Sequence, residues 1–348
     1  MKRLYCGDFI CLCIFVIYVP LRPVIPIPLQ ESRFMNHLAI GIDIGGTNTD
    51  IALVNPDGKV LQHKILKTAE YEDHHPYILD MAGAIRAILS ENGLTEVAGV
   101  GIGAPNAHFD TGCIGADTAN LRMKKEIPIC EMLQRMLNIP VTLSNDADAA
   151  ALGEHIYGGA KLMQHFVTIT LGTGVGSGIF VDGRLIHGHG CMAGELGHAI
   201  VNPLSDRLCS CGRKGCLEMY ASARGICQTY KELAAKGDLR DNFSGSELTC
   251  KDVGEMAVAG DPLALKTYDV TAYWLAIGMA NAASFCSPEA FFLMGGPTRA
   301  GEALLKPLRR YFAENLLYIY KDRISIQLSE LQSNDAAVLG AAALIHLK

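Results

Sequence analysis

The chain has 348 residues, enough for two domains around a sizeable core, and 49% apolar against 19% charged residues excludes a disordered polymer. A formal net charge of -6 argues against a general nucleic-acid binder, which needs a basic face to neutralise phosphates. Twelve cysteines are scattered and not laid out as a disulfide framework, so most read as reduced, buried small side chains; Cys209, Cys211 and Cys216 stand apart as a tight group.

Residues 1–35 read as a leader outside the fold. Lys2 and Arg3 precede an apolar run from Phe9 to Val19, as in a signal peptide, but no small-residue cleavage site comes after it. Pro20, Pro23, Pro26 and Pro28 break any helix, and the run is short for a membrane span. A start of translation at Met35 is favoured over a signal or anchor, because the chain beyond Met35 has the make-up of a cytosolic, thiol-bearing, nucleotide-using protein. The expectation is a cytoplasmic location with no membrane contact and no nucleic-acid partner.

From Leu38 onward strand-like and helix-like segments alternate, which predicts an α/β class. Residues 39–60, AIGIDIGGTNTDIALVNPDGKV, outline strand, glycine turn, strand, Asp-Gly turn, strand. Within it, Asp43 ends a strand, and Gly45, Gly46 and Thr47 make a turn with little side-chain bulk. Next comes an apolar strand, Ile139 to Leu143, ending in Ser144-Asn145-Asp146-Ala147-Asp148 and an alanine-rich helix. An Asn or Asp there is often only a helix cap. Three polar groups at a strand C-terminus also mark the place where α/β sheets hold ligands. Asp146 is the candidate general base, whereas Asp148 is expected to cap the helix or face solvent.

Residues 166–186, FVTITLGTGVGSGIFVDGRLI, repeat the first outline. Aligning Gly45 with Gly172 places Leu53-Val54 over Phe180-Val181, and both copies then turn through Asp-Gly; two such units about 130 residues apart predict two related sheet domains facing a cleft. Gly172, Gly174, Gly176 and Gly178 recur with period two, which would put four bare positions on one face of an extended segment, open to phosphate oxygens. Either hairpin alone would be equally consistent with a tight β-turn.

The segment GELGHAIVNPLSDRLCSCGRKGCLE, residues 194–218, spaces His198, Cys209, Cys211 and Cys216 as H-x10-C-x-C-x4-C. Three thiolates and an imidazole are a closed tetrahedral set for a structural zinc ion. A disulfide is disfavoured because Cys209 and Cys211 are too close to each other and one cysteine would be left over. The zinc would fix Glu195 and Glu218, acceptors suited to sugar hydroxyls. Further on, Phe291 to Met294 reads as an apolar strand ending in Gly295-Gly296, either a seat for a flat ring or an ordinary strand-to-loop turn.

These segments together resemble the ROK family (repressor, open reading frame, kinase), from about Leu38 to the end. The resemblance rests on Asp43-Ile-Gly-Gly-Thr47, on Leu171-Gly-Thr-Gly-Val-Gly-Ser-Gly178, and on Gly194-Glu-Leu-Gly-His198 with the cysteine group and Glu218. It implies an actin/hexokinase-like fold: two RNase H-like domains flanking a cleft, a small one of residues 36–143 plus 335–348 and a larger one of 144–334 with the zinc loop. It further implies that Asp43, Gly45, Gly46, Thr47, Gly172, Thr173 and Gly174 bind ATP with Mg²⁺, and that Gly295 and Gly296 border adenosine. Asp146 would activate a sugar 6-hydroxyl, with Asn120, Asn145, Glu195, His198 and Glu218 holding the sugar. The implied activity is ATP-dependent phosphorylation of a hexose, glucose first, with fructose, N-acetylmannosamine, N-acetylglucosamine and allose as alternatives. A homodimer or homotetramer is the implied assembly. Sugar-sensing repressors of the family are the competing class, but the proline-broken leader leaves no room for a helix-turn-helix of the usual kind. Ala119 stands where the family usually has proline, Asn106 where it has glycine, and Asn48 where lysine is frequent; the first two lie in loops that bear on which hexose fits.

Overall fold

AIGIDI, at the start of the fold, alternates small and large apolar side chains, and this decides what packs on each face. The computed structural model describes residues 38–116, 118, 121–331 and 335–346; the leader and Asn120 lie outside them. In strand β1 (Ala39–Ile44), Ile40, Ile42 and Ile44 join one buried cluster while Ala39 joins another on the opposite face. β2 (Thr49–Val54) and β3 (Val60–Leu66) follow antiparallel. Helix α1 (His74–Glu91) lies over the isoleucine face through Tyr77, Ile78 and Ile85. β4 (Val100–Ala104), a short hairpin of β5 (Ala107–His108) and β6 (Cys113–Ile114), α2 (Ile129–Leu137) and β7 (Val141–Asn145) complete this half, with β4 parallel to both β1 and β7. The sheet order is β3-β2-β1-β4-β7.

Helix α3 (Asp146–Ile156) leads into a second sheet built to the same plan. β8 (Phe166–Leu171), β9 (Val175–Val181) and β10 (Arg184–Leu185) are antiparallel, and β11 (Ala290–Met294) and β12 (Ser325–Leu328) extend β8 in parallel, in the order β10-β9-β8-β11-β12. The turn from β9 to β10 has positive φ at both Asp182 and Gly183, as an Asp-Gly hairpin turn requires. One face of this sheet is covered by α4 (Glu218–Ala221), α5 (Ala223–Lys236), α6 (Cys250–Val258), α7 (Pro262–Cys286) and α8 (Glu302–Asn315). Asp261 caps α7 by accepting from the Ala264 N–H, and Pro262 occupies its first turn, where no backbone donor is needed. None of the described helices is long and apolar enough to cross a membrane.

The two halves exchange helices. α3 follows the last strand of the first sheet yet packs on β8 and β9 of the second; α9 (Ala336–Ala343) follows the last strand of the second sheet yet packs on β1 and β4 of the first. Small residues permit this. A Cβ added at Gly41 would lie 2.0 Å from the Val338 carbonyl oxygen, and one at Gly101 would lie 1.9 Å from that of Ala341. α3 and α9 in turn touch each other where a Cβ on Gly153 would come within 2.8 Å of Gly340 Cα.

Candidate active site

The C-terminal ends of β1, β4 and β7 bring Asp43, Gly103 and Ser144 into lateral register, and β7 runs directly into α3. Asn145 caps that helix, its Oδ1 accepting from the Ala147 N–H at 2.9 Å. Asp146 Oδ1 accepts from the same N–H at 2.8 Å. The Asp146 side chain is open to the cleft, but protein crowds it closely enough that burial raises its pKa, with the Asp148 charge adding to the rise against the Ala147 hydrogen bond. Asp43 is pushed up to about 6, first by burial, then by the charges of Asp146 and Asp50. Asp146 is near enough for its charge to act on Asp43 of the first hairpin, while on the second hairpin a Cβ at Gly176 would lie 2.8 Å from Ala147 Cβ. Both glycine hairpins therefore approach the first turn of α3.

The two glycine turns differ in detail. Gly45 donates its N–H to the Asn48 carbonyl at 2.9 Å, closing a turn whose Thr47 is exposed. In the second hairpin Gly172 and Thr173 are exposed, and Gly172 bonds Gly174 across the turn and accepts from the Ala223 N–H at the start of α5. The expectation that all four alternate glycines offer bare backbone to a ligand is corrected here. A Cβ at Gly178 would stand 2.5 Å from Ala151 Cβ, and one at Gly174 would stand 2.6 Å from Glu218 Oε2. Gly176 and Gly178 serve the close approach of β9 to α3; only the Gly172–Gly174 tip is left for a ligand. Beside it, Gly295 has φ +103 and lies against Leu171, where a Cβ would meet the carbonyl oxygen at 2.0 Å, so the Gly295-Gly296 turn sits next to Gly172. Gly296 has open space where a side chain would be.

The Gly194–His198 segment is docked on β9. A Cβ on Gly194 would stand 2.3 Å from the Ser177 carbonyl oxygen, and one on Gly197 would stand 2.0 Å from that of Val175. Ser177 Oγ donates to the Gly194 carbonyl. His198, Cys209, Cys211 and Cys216 come together, each offering one ligand atom within 4.8 Å of the others. Cys209 Sγ lies 3.5 Å from His198 Nδ1, and Cys211 Sγ lies 3.6 Å from Cys216 Sγ. Tetrahedral zinc, with bonds of about 2.3 Å to sulfur and 2.0 Å to nitrogen, places ligand atoms about 3.5–3.8 Å apart. The donor set and its spacing fit that ion.

His198 points Nδ1 at the thiols and Nε2 toward Glu195, 3.9 Å from its Oε2; the Glu195 side chain is exposed. Glu218 is 8% exposed, accepting from the Val175 N–H at 3.2 Å and lying 3.7 Å from both Cys209 Sγ and Arg224. It ties the thiol cluster to the glycine hairpin.

Asn106, in the place of a family glycine, has φ +52, a left-handed conformation that asparagine tolerates better than other side chains. Its Nδ2 donates to Thr118 Oγ1 at 3.2 Å.

One expectation fails outright at this site. Asp148 neither caps α3 nor faces solvent: it is 5% exposed, accepts from Ser144 Oγ at 3.4 Å and lies 3.5 Å from His187 Nδ1. Gly178 is the reason, since it lets β9 approach the Asp148 backbone, where a Cβ would be 3.4 Å from Asp148 Cα. His187 and its stacking partner Phe109 have no motif to announce them, because their contacts span distant parts of the chain.

The ROK family pattern matches residues 39–348. A glucokinase from Halalkalibacterium halodurans is 34% identical over 313 residues, 88% of this chain and 94% of that protein. A xylose repressor from Caldicellulosiruptor bescii is 28% identical over 326 residues, 92% of this chain and 80% of that protein. Among solved structures, a ROK family glucokinase from Streptomyces griseus in complex with glucose and AMPPNP superposes with a TM-score of 0.72 at 31% identity, covering 88% of this chain and 98% of that one. With its duplicated sheets, converging glycine hairpins and cysteine-histidine loop, the chain belongs to the ROK family and has the actin/hexokinase-like α/β fold of its sugar kinases.

Proposed function

We propose that the chain is an ATP-dependent hexose kinase acting on the 6-hydroxyl of glucose, with Asp146 as general base. What supports this reading is that the first turn of α3, which carries Asp146, lies against the second glycine hairpin and within reach of the charge of Asp43 from the first. Phosphoryl transfer asks mainly for in-line positioning and charge stabilisation. The exposed turns at Gly45–Thr47 and Gly172–Gly174 offer backbone to the phosphates, and the Gly295-Gly296 turn beside them offers a flat surface to adenosine. Asp146 takes the proton of the attacking hydroxyl; burial raises its pKa toward working pH, which makes it a stronger base. Asn145, Glu195, His198 and Glu218, with Asn120 from outside the described residues, would hold the sugar.

Two metals fit the residues. Zinc would be held by His198, Cys209, Cys211 and Cys216, with no open position, and its role is to fix the loop that carries Glu195 and Glu218. Mg²⁺ takes oxygen ligands, and Asp43, whose carboxyl is crowded by two others, would hold it together with the phosphates. When bound it supplies charge neutralisation at the transferring phosphoryl group.

A sugar-responsive regulator is the second reading, favoured by the xylose repressor's similarity over 92% of the chain. A coupled ADP-release assay over glucose, mannose, fructose, allose and the two N-acetylhexosamines separates the two. Turnover is expected with glucose, and none with any sugar would favour the regulator. Asp146→Asn should lower kcat by about 10²–10⁴ while calorimetric glucose binding persists; unchanged turnover would remove Asp146 from the mechanism.

A further inference from the structure

Asp148, His187 and Phe109 hold none of the substrate-contacting or proton-accepting roles proposed above, although the Asp148 charge adds to the rise of the Asp146 pKa. Asp148 lies in the first turn of α3, in the same turn as Asp146, and is buried with its Oδ2 3.5 Å from His187 Nδ1. That nitrogen is itself buried and makes no hydrogen bond among the described residues. The face of the imidazole is covered by the Phe109 ring, stacked at 4.5 Å between centroids and 13° between planes. Phe109 sits at the tip of the β5–β6 hairpin, in the first half of the molecule, whereas His187 follows β10 at the edge of the second sheet. The stack is therefore a contact between the two halves, and it ends on the helix that presents Asp146.

A separation of 3.5 Å lies just beyond a good N–H to oxygen bond, so a movement of a few tenths of an ångström would make one. An unpartnered buried nitrogen and a buried carboxylate both gain from it. Ser144, which donates to the same Asp148 oxygen, Oδ2, that His187 approaches, is the residue before Asn145 at the end of β7. Asp148 is thus held between the strand that delivers the site and the ring that Phe109 covers.

We propose that Phe109, His187 and Asp148 act as positioning residues: engagement of the two halves through Phe109 seats His187 Nδ1–H on Asp148, and this sets the first turn of α3 and with it the direction of Asp146. The proposal rests on Asp146 being the base. None of the three touches the reacting atoms, so their effect is on the rate of the bound complex and not on substrate affinity.

The test is a steady-state comparison of the full chain with Asp148→Asn, His187→Phe, the double variant, His187→Asn and Phe109→Ala. Phenylalanine keeps the stack on Phe109 and removes the nitrogen; asparagine puts an amide N–H where Nδ1 stands. The expected result is a kcat about tenfold lower for Asp148→Asn and for His187→Phe, with KM for glucose and ATP within about twofold. The double variant should be no slower than the slower single, because both remove one interaction. His187→Asn should recover most of the lost kcat, and Phe109→Ala should lose kcat without raising KM. Wild-type kcat in His187→Phe, multiplied losses in the double variant, or an asparagine no better than phenylalanine would each overturn the proposal. If Asp146→Asn is inactive while His187→Phe is normal, only this proposal falls; if Asp146→Asn keeps full turnover, the base assignment falls first and this one with it.

Discussion

Asp43 sits where three carboxylates converge, and its titration should be visible in the stability of the ligand-free protein. The folded chain holds its proton up to about pH 6 against a reference of 3.8. Between those values the native state binds more protons than the unfolded one, so stability falls as pH rises through the window, by up to about 3 kcal/mol. Urea unfolding of the wild type and of Asp43→Asn between pH 4 and 6.5 isolates this contribution: the wild type should lose up to about 3 kcal/mol relative to the variant as pH rises, and a difference that does not change with pH would contradict the assignment. The place of Asp146, between the end of β7 and the start of α3, was legible in the sequence because a polar cluster there divides an apolar run from an alanine-rich one. Asp148 was not, although it is two residues away, because its burial depends on a glycine thirty residues later that lets β9 close over it.

At the scale of elements, short-range patterns carried well and packing between elements did not. The H-x10-C-x-C-x4-C spacing anticipated a cluster that the fold does assemble. Cys211→Ser should leave the protein with less than one equivalent of zinc and lower its melting temperature by about 5 °C or more. Metal analysis with a thermal scan checks this, and full occupancy in the variant would exclude Cys211 as a ligand. The alternate glycines, by contrast, read in sequence as a phosphate surface along their whole length, whereas half of them exist so that a helix can lie on the strand. The same steric logic governs Gly101, where an added methyl group would meet the Ala341 carbonyl at 1.9 Å. Gly101→Ala should destabilise the fold by about 3 kcal/mol or more, or prevent folding. Gly83, exposed in α1 with nothing within 4 Å of its missing Cβ, should behave oppositely. Gly83→Ala is expected to stabilise by up to about 1 kcal/mol, since it removes backbone freedom from the unfolded chain. Paired denaturant melts of the two variants measure both signs.

Across the whole molecule, two sheets of identical strand order are held by helices that each half lends to the other. α3 and α9 meet at small residues, Gly153 against Gly340, leaving a narrow crossing with little bulk to resist rotation. We expect the halves to close when sugar and nucleotide are both bound, because water must be kept from the transferring phosphoryl group. Small-angle scattering with glucose and a non-hydrolysable ATP analogue should give a smaller radius of gyration than the free protein; an unchanged radius would argue for a cleft that is preformed. By itself the sequence determined the α/β class, the duplicated hairpins, the metal-type cysteine group and the carboxylate at the strand end, because each is written in residues close together in the chain. Only the tertiary structure decided which glycines face a helix and which face the cleft, that Asp148 is buried, and that Phe109 meets His187. Those depend on contacts between distant segments, which local spacing does not encode.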